Sequence, residues 1–417
     1  MKLNSIINSL LETDSYKFSM GQTNFHQFNK DKVVWSFKCR NEDVRFTPDM
    51  VQEIRDQIDH YCTLRFTEDE LKWLGDNMPW ITEDYIDFLR FWHPRRCEIF
   101  VNENDIQPYN ECGLAIEAHG TDVNTSFYEI AVLSIVSEIY YAFKYGVGHF
   151  NTEFIENTIR NFGKIIDGTY DIGTFSEFGL RRRYSSETED FVVKYIVDKR
   201  IPGFVGTSNV FLAKKYGVRP IGTMAHQEFQ LMMGHHEYNP AYVNRLVMNA
   251  WLKEYKTENG ICLTDAITTK CFLLDFDKVF AKSFDGVRHD SGDPYVWGNM
   301  LIEHYKKLGI DPKTKTLLFS DSLDFEKSTK IRAYFKDKAR VAFGIGTFIS
   351  NPLTSVKPLN IVMKLTEVNG GPVAKISDVD GKCMARNARC RPTRRLSLIA
   401  PITCSGGRVL LCRRWRP

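Results

Sequence analysis

From about Gly168 onward the chain repeats one pattern. A short apolar or β-branched run ends in small polar residues, and a segment of helical periodicity follows. The cases are "YDIGTFSEFGLRRR", "FVGTSN", "RPIGTMAHQE", "GICLTDAIT", "FDGVRHDSGDP", "TLLFSDSLD" and "VAFGIGTFISN", seven strand ends in all. Strand–helix alternation predicts a parallel sheet. Polar residues gathered just after the strands predict a barrel, whose reactive loops open at the strands' C-terminal face.

The flanks read differently. "KVVWSFKCR" alternates as a strand does, and "TEDELKWLGDNMPWITEDYIDFLRFW" carries two amphipathic helices split by Asn77, Met78 and Pro79. "SFYEIAVLSIVSEIYYAFKYG" predicts a long buried helix closed by Gly146. Thr13 and Asp14 are both able to cap a helix, and "VFLAKKYG" predicts one capped by Ser208 or Asn209 and stopped by Gly217. "KPLNIVMKLTEVNGGPVAKISD" predicts an antiparallel hairpin turning at Asn369, Gly370 and Gly371 and pairing back onto the first domain. The expected organisation has four parts. Residues 1–145 form an N-terminal α/β domain whose long helix leads to a barrel over 146–352. The hairpin fills 353–384, and an atypical tail occupies 385–417.

Composition adds one surprise. The chain is 43% apolar and 26% charged, ordinary for a soluble protein. "MKLNSIINSLLETDSYKF" shows neither a long apolar core nor a cleavage site, and no run approaches a membrane span, so a cytoplasmic protein is expected. The ten cysteines fall in no zinc spacing. The net charge of +3, however, hides a split. Ala385–Pro417 holds nine Arg, three Cys, no Lys and no acid; without it 46 basic residues face 52 acidic ones, a balance of −6. Such a tail reads as translation in a wrong reading frame from near Met384. A nucleic-acid-binding tail is the rival, disfavoured because no helical or aromatic pattern organises the charges. The intact mass of protein from its native source decides between them.

The strand ends carry the chemistry. Gly206-Thr207, Gly222-Thr223 and Gly346-Thr347 are glycine-containing turns where backbone can approach a ligand. Of the loops, "FGIGT" and "FSDS" are the candidates for a phosphate. Arg181, Arg182 and Arg183 form a basic turn, expected to be solvated at Arg182 or Arg183. His226 directly follows a strand. Asp290 and Asp293 could meet Mg²⁺ through water or a ribose hydroxyl, and Arg288 an anion. No acid stands at helix-face spacing to complete a zinc site with His235 and His236.

Taken in order, "TDSYKFSM", "GTSNV", "GTMAHQE", "FDGVRHDSGDP", "FSDSLDF", "FGIGT" and the hairpin sequence resemble the bacterial-type nicotinate phosphoribosyltransferases, over about residues 5–384. The resemblance implies an irregular TIM-like α/β barrel with a second α/β domain built from both chain ends, usually as a homodimer. It implies ATP-coupled transfer of phosphoribosyl from phosphoribosyl pyrophosphate to nicotinate, an entry to NAD salvage, with ATP and Mg²⁺ as cofactors. The Mg²⁺ would be carried mainly by substrate phosphates, with no dedicated protein ligands. By the same resemblance His226 is phosphorylated by ATP, Asp290 lies near the ribose hydroxyls and Asp265 is a further site acid. Arg288 holds the pyridine, Phe178 and Tyr16 stack on its two faces, Tyr16 from the neighbouring subunit, and Arg181 lies over the site. Ser320, Asp321 and Ser322, with Gly344, Gly346 and Thr347, surround the 5′-phosphate.

Ser208 stands where nicotinamide-using relatives carry Asp, which favours the acid substrate. Ser15, by contrast, resembles those relatives. Gln227 follows His226 where Glu is usual, and Pro352 replaces a polar residue. The alternatives are a nicotinamide-using enzyme, a quinolinate-using enzyme, or a ligand-binding relative inactivated by its altered C-terminus.

Overall fold

The computed structural model describes residues 1–107, 111–235, 242–378 and 384–385. His236 and the tail from residue 386 lie outside the described residues. Strands β1 (Lys32–Cys39), β2 (Ile99–Gln107) and β3 (Glu111–Thr121) precede the repeated region. Within it run β4 (Thr174–Glu177), β5 (Phe204–Thr207), β6 (Arg219–Pro220), β7 (Ile261–Leu263), β8 (Gly286–His289), β9 (Thr316–Phe319) and β10 (Arg340–Ile345). After it come β11 (Ile361–Val368), β12 (Gly371–Pro372), β13 (Ala374–Lys375) and β14 (Met384–Ala385).

Each of the seven strand ends in the sequence is a strand end in the structure. They form one parallel sheet in the order β6-β5-β4-β10-β9-β8-β7. The sheet curls toward a barrel but does not close by a backbone ladder, because β6 and β7 are its two edges. A side chain spans that seam: Thr223 Oγ1 donates to Ile261 O at 2.8 Å. The β8–β10 strands are short and apolar, as expected where helices cover the outside; Val287, Leu317, Phe319, Phe343 and Ile345 are all buried.

The second sheet is antiparallel, in the order β12-β11-β1-β3-β2. β11 does return to the first domain, pairing with β1 from Val33↔Val368 to Cys39↔Ile361. Its hairpin turns on Asn369 (φ +51°) and Gly370 (φ +79°), the left-handed pair that a two-residue turn requires. The long helix Tyr128–Tyr145 packs against β11 and ends at Gly146 (φ +96°). Asp122–Tyr145 is the one segment among the described residues long and apolar enough to cross a membrane, and it lies inside the protein, 89% buried.

Capping departs from expectation in one place. Asn209 caps Val210–Tyr216 and Gly217 stops it, but Thr13 and Asp14 cap nothing. The helix Tyr16–Gln27 begins after Ser15 with no side-chain cap. Asp14 accepts instead from Ser208 Oγ at 2.6 Å, which draws this segment onto the barrel mouth.

Candidate active site

A cavity of about 520 Å³ opens between the C-terminal ends of the barrel strands and the second sheet. The strand-end loops feed it in turn: Phe178, Arg181 and Arg182 follow β4, Ser208 follows β5 and His226 follows β6. Arg288 and Asp290 come from the end of β8, Ser320, Asp321 and Ser322 follow β9, and Gly344, Gly346 and Thr347 come from the end of β10. The N-terminal segment adds Asp14 and Tyr16, the second sheet and the residue after β1 add Lys364 and Arg40, and β13 adds Lys375. Six cationic side chains thus face three carboxylates (Asp14, Asp290 and Asp321), so the cavity attracts anions.

At its centre His226 opens the helix His226–Gly234 and is 4% exposed. Its Nε2 lies 3.0 Å from Asp265 Oδ1 and 3.7 Å from Asp290 Oδ2. Asp265 does not line the cavity; it stands behind the imidazole, where Ser291 Oγ donates to its other oxygen at 2.6 Å. Burial, then the charge of Lys375, push His226 down to about 4. Burial works to raise both carboxylates. Lys375 and His226 outweigh it and hold Asp265 well below its usual range, and Asp290 at about 2. At neutral pH this is a neutral imidazole between two carboxylates and an ammonium. Its Nε2–H donates to Asp265, and Nδ1 keeps its lone pair.

Glycine shapes the aromatic slot. A Cβ on Gly344 would lie 2.4 Å from the Phe178 ring, and one on Gly222 would lie 2.9 Å from Tyr16 N. Gly344 therefore makes room for Phe178. Tyr16 lines the same cavity as Phe178. One buried donor here, Arg288 Nε, has no hydrogen-bond partner among the described residues. Arg288 is held by its Nη1, which donates to Met224 O at 2.8 Å.

The three arginines after β4 diverge. Arg181 pairs with Asp14 at 3.6 Å, and Arg182 donates to Ile361 O at 3.1 Å. Arg183 is not solvated: it is 1% exposed and bound to Glu12, Glu189 and Glu138. Gly206-Thr207 is likewise structural. Gly206 lies against Arg219 O, and Thr207 Oγ1 donates to Glu177 at 2.6 Å.

The sequence reading missed a buried network beneath the cavity. Lys17, fully buried, pairs with Glu129 at 2.7 Å, donates to Gln227 at 2.8 Å and covers the Trp35 ring at 4.6 Å. Lys364 holds the other Glu129 oxygen at 2.6 Å. Gln227 Nε2 donates onward to Asp122 at 2.7 Å. An amide at 227 satisfies an ammonium and a carboxylate together, whereas a carboxylate there would face Asp122 as a like charge. That accounts for Gln following His226. Outside this region, His235 Nδ1 bonds Asp31 at 2.7 Å.

A cation-lined cavity at the C-terminal face of an α/β barrel, with a buried His–Asp pair and an aromatic slot, defines an enzyme site for a phosphorylated substrate. The chain matches the nicotinate phosphoribosyltransferase (NAPRTase) family over residues 174–397, so the match ends inside the Arg-rich segment. It also matches that family's N-terminal domain over 11–137. It is 39% identical over 393 residues to a nicotinate phosphoribosyltransferase of Neisseria meningitidis, covering 93% of this chain and 96% of that one. Its identity to the Acinetobacter baumannii protein of the same name is 40% over 392 residues, 92% and 95% of the two chains. Among solved structures, a putative nicotinate phosphoribosyltransferase from Saccharomyces cerevisiae superposes with TM-score 0.85 at 30% identity, covering 93% of this chain and 97% of that one. The Porphyromonas gingivalis enzyme gives 0.83 at 34%, with 91% and 97% covered. The chain belongs to the nicotinate phosphoribosyltransferase family.

Proposed function

We propose that the chain transfers phosphoribosyl from phosphoribosyl pyrophosphate to nicotinate, and that ATP drives the transfer through phosphorylation of His226. The observation that carries the reading is the convergence of His226, its Asp265 partner and a cationic lining on one cavity in a member of this family.

The residues divide the work. Nicotinate lies in the slot between Phe178 and Tyr16, and the unpartnered Nε of Arg288 receives its carboxylate. Ser208 faces the ring substituent with its hydroxyl committed to Asp14, whose charge Arg181 balances. The 5′-phosphate sits on Ser320–Ser322 and Gly346-Thr347, the ribose hydroxyls near Asp290, and pyrophosphate among Arg40, Arg181, Arg182 and Lys364. The pyridine nitrogen's lone pair forms the bond to the anomeric carbon while the carbon–oxygen bond to pyrophosphate breaks. Cationic side chains stabilise the charge that leaves.

For His226, Asp265 fixes the tautomer, so the Nδ1 lone pair attacks the terminal phosphorus of ATP and the bond to ADP breaks. Water later releases phosphate. Mg²⁺ held on the substrates' phosphates would screen their charge. A homodimer in the cytoplasm completes the reading, and light scattering measures the oligomer.

The test follows nicotinate mononucleotide by chromatography, with and without ATP, with nicotinamide as competitor. ATP-stimulated product from nicotinate is expected, and His226→Ala is expected to abolish both the stimulation and the transfer of label from γ-³²P-ATP. Undiminished ATP stimulation in His226→Ala would overturn the role of His226. Preference for nicotinamide would overturn the substrate.

A further inference from the structure

Lys375 belongs to no loop that follows a barrel strand. It stands on β13, in a stretch that straps across the barrel mouth. Ile376 N donates to Ala266 O at 3.2 Å, after β7. The Asp378 carboxylate accepts from Thr269 N at 2.9 Å and from Thr269 Oγ1 at 2.6 Å, and its own N–H reaches Ser291 Oγ at 3.4 Å, after β8. Held on both loops, the strap places Lys375 Nζ 3.4 Å from Asp290 Oδ2 and 3.8 Å from Asp265 Oδ2.

Those carboxylates and His226 are a donor set of the kind that binds divalent metals, with one ligand atom from each within 4.8 Å of the others. A metal on Nε2 would need that nitrogen's lone pair, so the ring's single proton would have to move from Nε2 to Nδ1, removing the lone pair the chemistry uses. An ammonium balances the same carboxylates and makes no bond to the ring. We propose that Lys375 is the built-in counter-cation of the His226–Asp265–Asp290 cluster, standing where a metal ion would otherwise bind, and is thereby a positioning residue for His226.

The charged groups facing the imidazole are Asp265 after β7, Asp290 after β8 and Lys375 on the strap. Removing Lys375 takes away the one cation that contacts both carboxylates, leaving Arg288 and Arg181 facing Asp290 alone, and a divalent ion then restores the lost charge. The proposal relies on the reading of His226 above only for its meaning in turnover.

The test uses the full chain without substrates and Mn²⁺ alone as probe, with free Mn²⁺ read by electron paramagnetic resonance. Wild type is expected to bind no Mn²⁺ at the cluster. Lys375→Met, matched in length but uncharged, is expected to bind one ion at least about tenfold more tightly than wild type. Adding Asp290→Asn is expected to remove that binding. Lys375→Arg keeps the charge and is expected to bind none while retaining ATP-dependent labelling of His226. A folded Lys375→Met with no gain in Mn²⁺ binding overturns the proposal. So does a wild type that binds one ion lost in Asp290→Asn, a result independent of whether Lys375→Met folds. Either outcome leaves the phosphoribosyl-transfer reading intact, because no turnover is measured.

Discussion

Gly344→Ala isolates the aromatic slot from the rest of the site. The new Cβ would fall 2.4 Å from two carbons of the Phe178 ring. Carbon atoms in contact normally sit ~3.5–4.0 Å apart, so ring or strand must yield by about 1 Å or more. Overpacking of this kind costs ~1–3 kcal/mol. With tenfold in affinity for each ~1.4 kcal/mol, the expected loss in kcat/KM for nicotinate is ~5- to 150-fold. The loss should appear in KM for nicotinate, with KM for phosphoribosyl pyrophosphate and labelling of His226 by ATP nearly unchanged. Steady-state assays with each substrate varied measure this directly. A double-mutant cycle with Phe178→Leu sharpens it: once the ring is gone, Gly344→Ala should cost much less. A folded Gly344→Ala enzyme with wild-type KM for nicotinate, or one defective only toward phosphoribosyl pyrophosphate, refutes the reasoning and returns Gly344 to a phosphate loop.

Three further outcomes are expected. Arg183→Met leaves Glu12, Glu189 and Glu138 without their common cation, and urea denaturation should show a loss of ~3–5 kcal/mol. Ser208→Asp places a second carboxylate against Asp14; kcat/KM for nicotinate should fall by ~10-fold or more, and the ratio to nicotinamide should shift toward the amide. His26 bridges Glu254 at 2.6 Å and Asp84 at 3.0 Å. Burial works against its charge, but Glu254 and Asp84 raise its pKa above the usual value. The stability it adds is fully present below ~6.5 and is lost as pH rises through the higher folded value. The urea midpoint should therefore fall between pH 6 and pH 8 by an amount His26→Gln removes, under ~1 kcal/mol for so exposed a group.

The barrel was legible because each of its strands is local. An apolar run, a polar exit and a capped helix fit within some fifteen residues, and the exits all open on one face. That is why Ser320–Ser322, Asp290 and His226 could be read before any fold was known. The basic turn after β4 shows the limit. Three successive arginines look alike in sequence, but a tight turn at Leu180–Arg182 sends them in three directions. One enters the cavity beside Asp14, one reaches β11, and one is buried among carboxylates from distant segments. Lys17, Lys364 and Lys375 were invisible for a related reason. Each is a single lysine on an unremarkable helix or strand, and its partner lies 85 or more residues away. Asp14 looked like a helix cap because local sequence favours that reading, and the tertiary bond to Ser208 overrides it.

The unclosed seam between β6 and β7 gives the sheet a degree of freedom. No backbone ladder joins these staves; Thr223 to Ile261, Arg288 to Met224 and His226 to Asp265 cross the gap by side chains. Two staves can therefore part or tighten without the cooperative loss of a strand pairing. The group that would carry phosphate and the carboxylate that aims it ride on opposite lips of that opening. Amide exchange should be fastest at these two edge strands and should slow whenever a ligand spans them, so that the barrel's looseness reports the stage of the catalytic cycle.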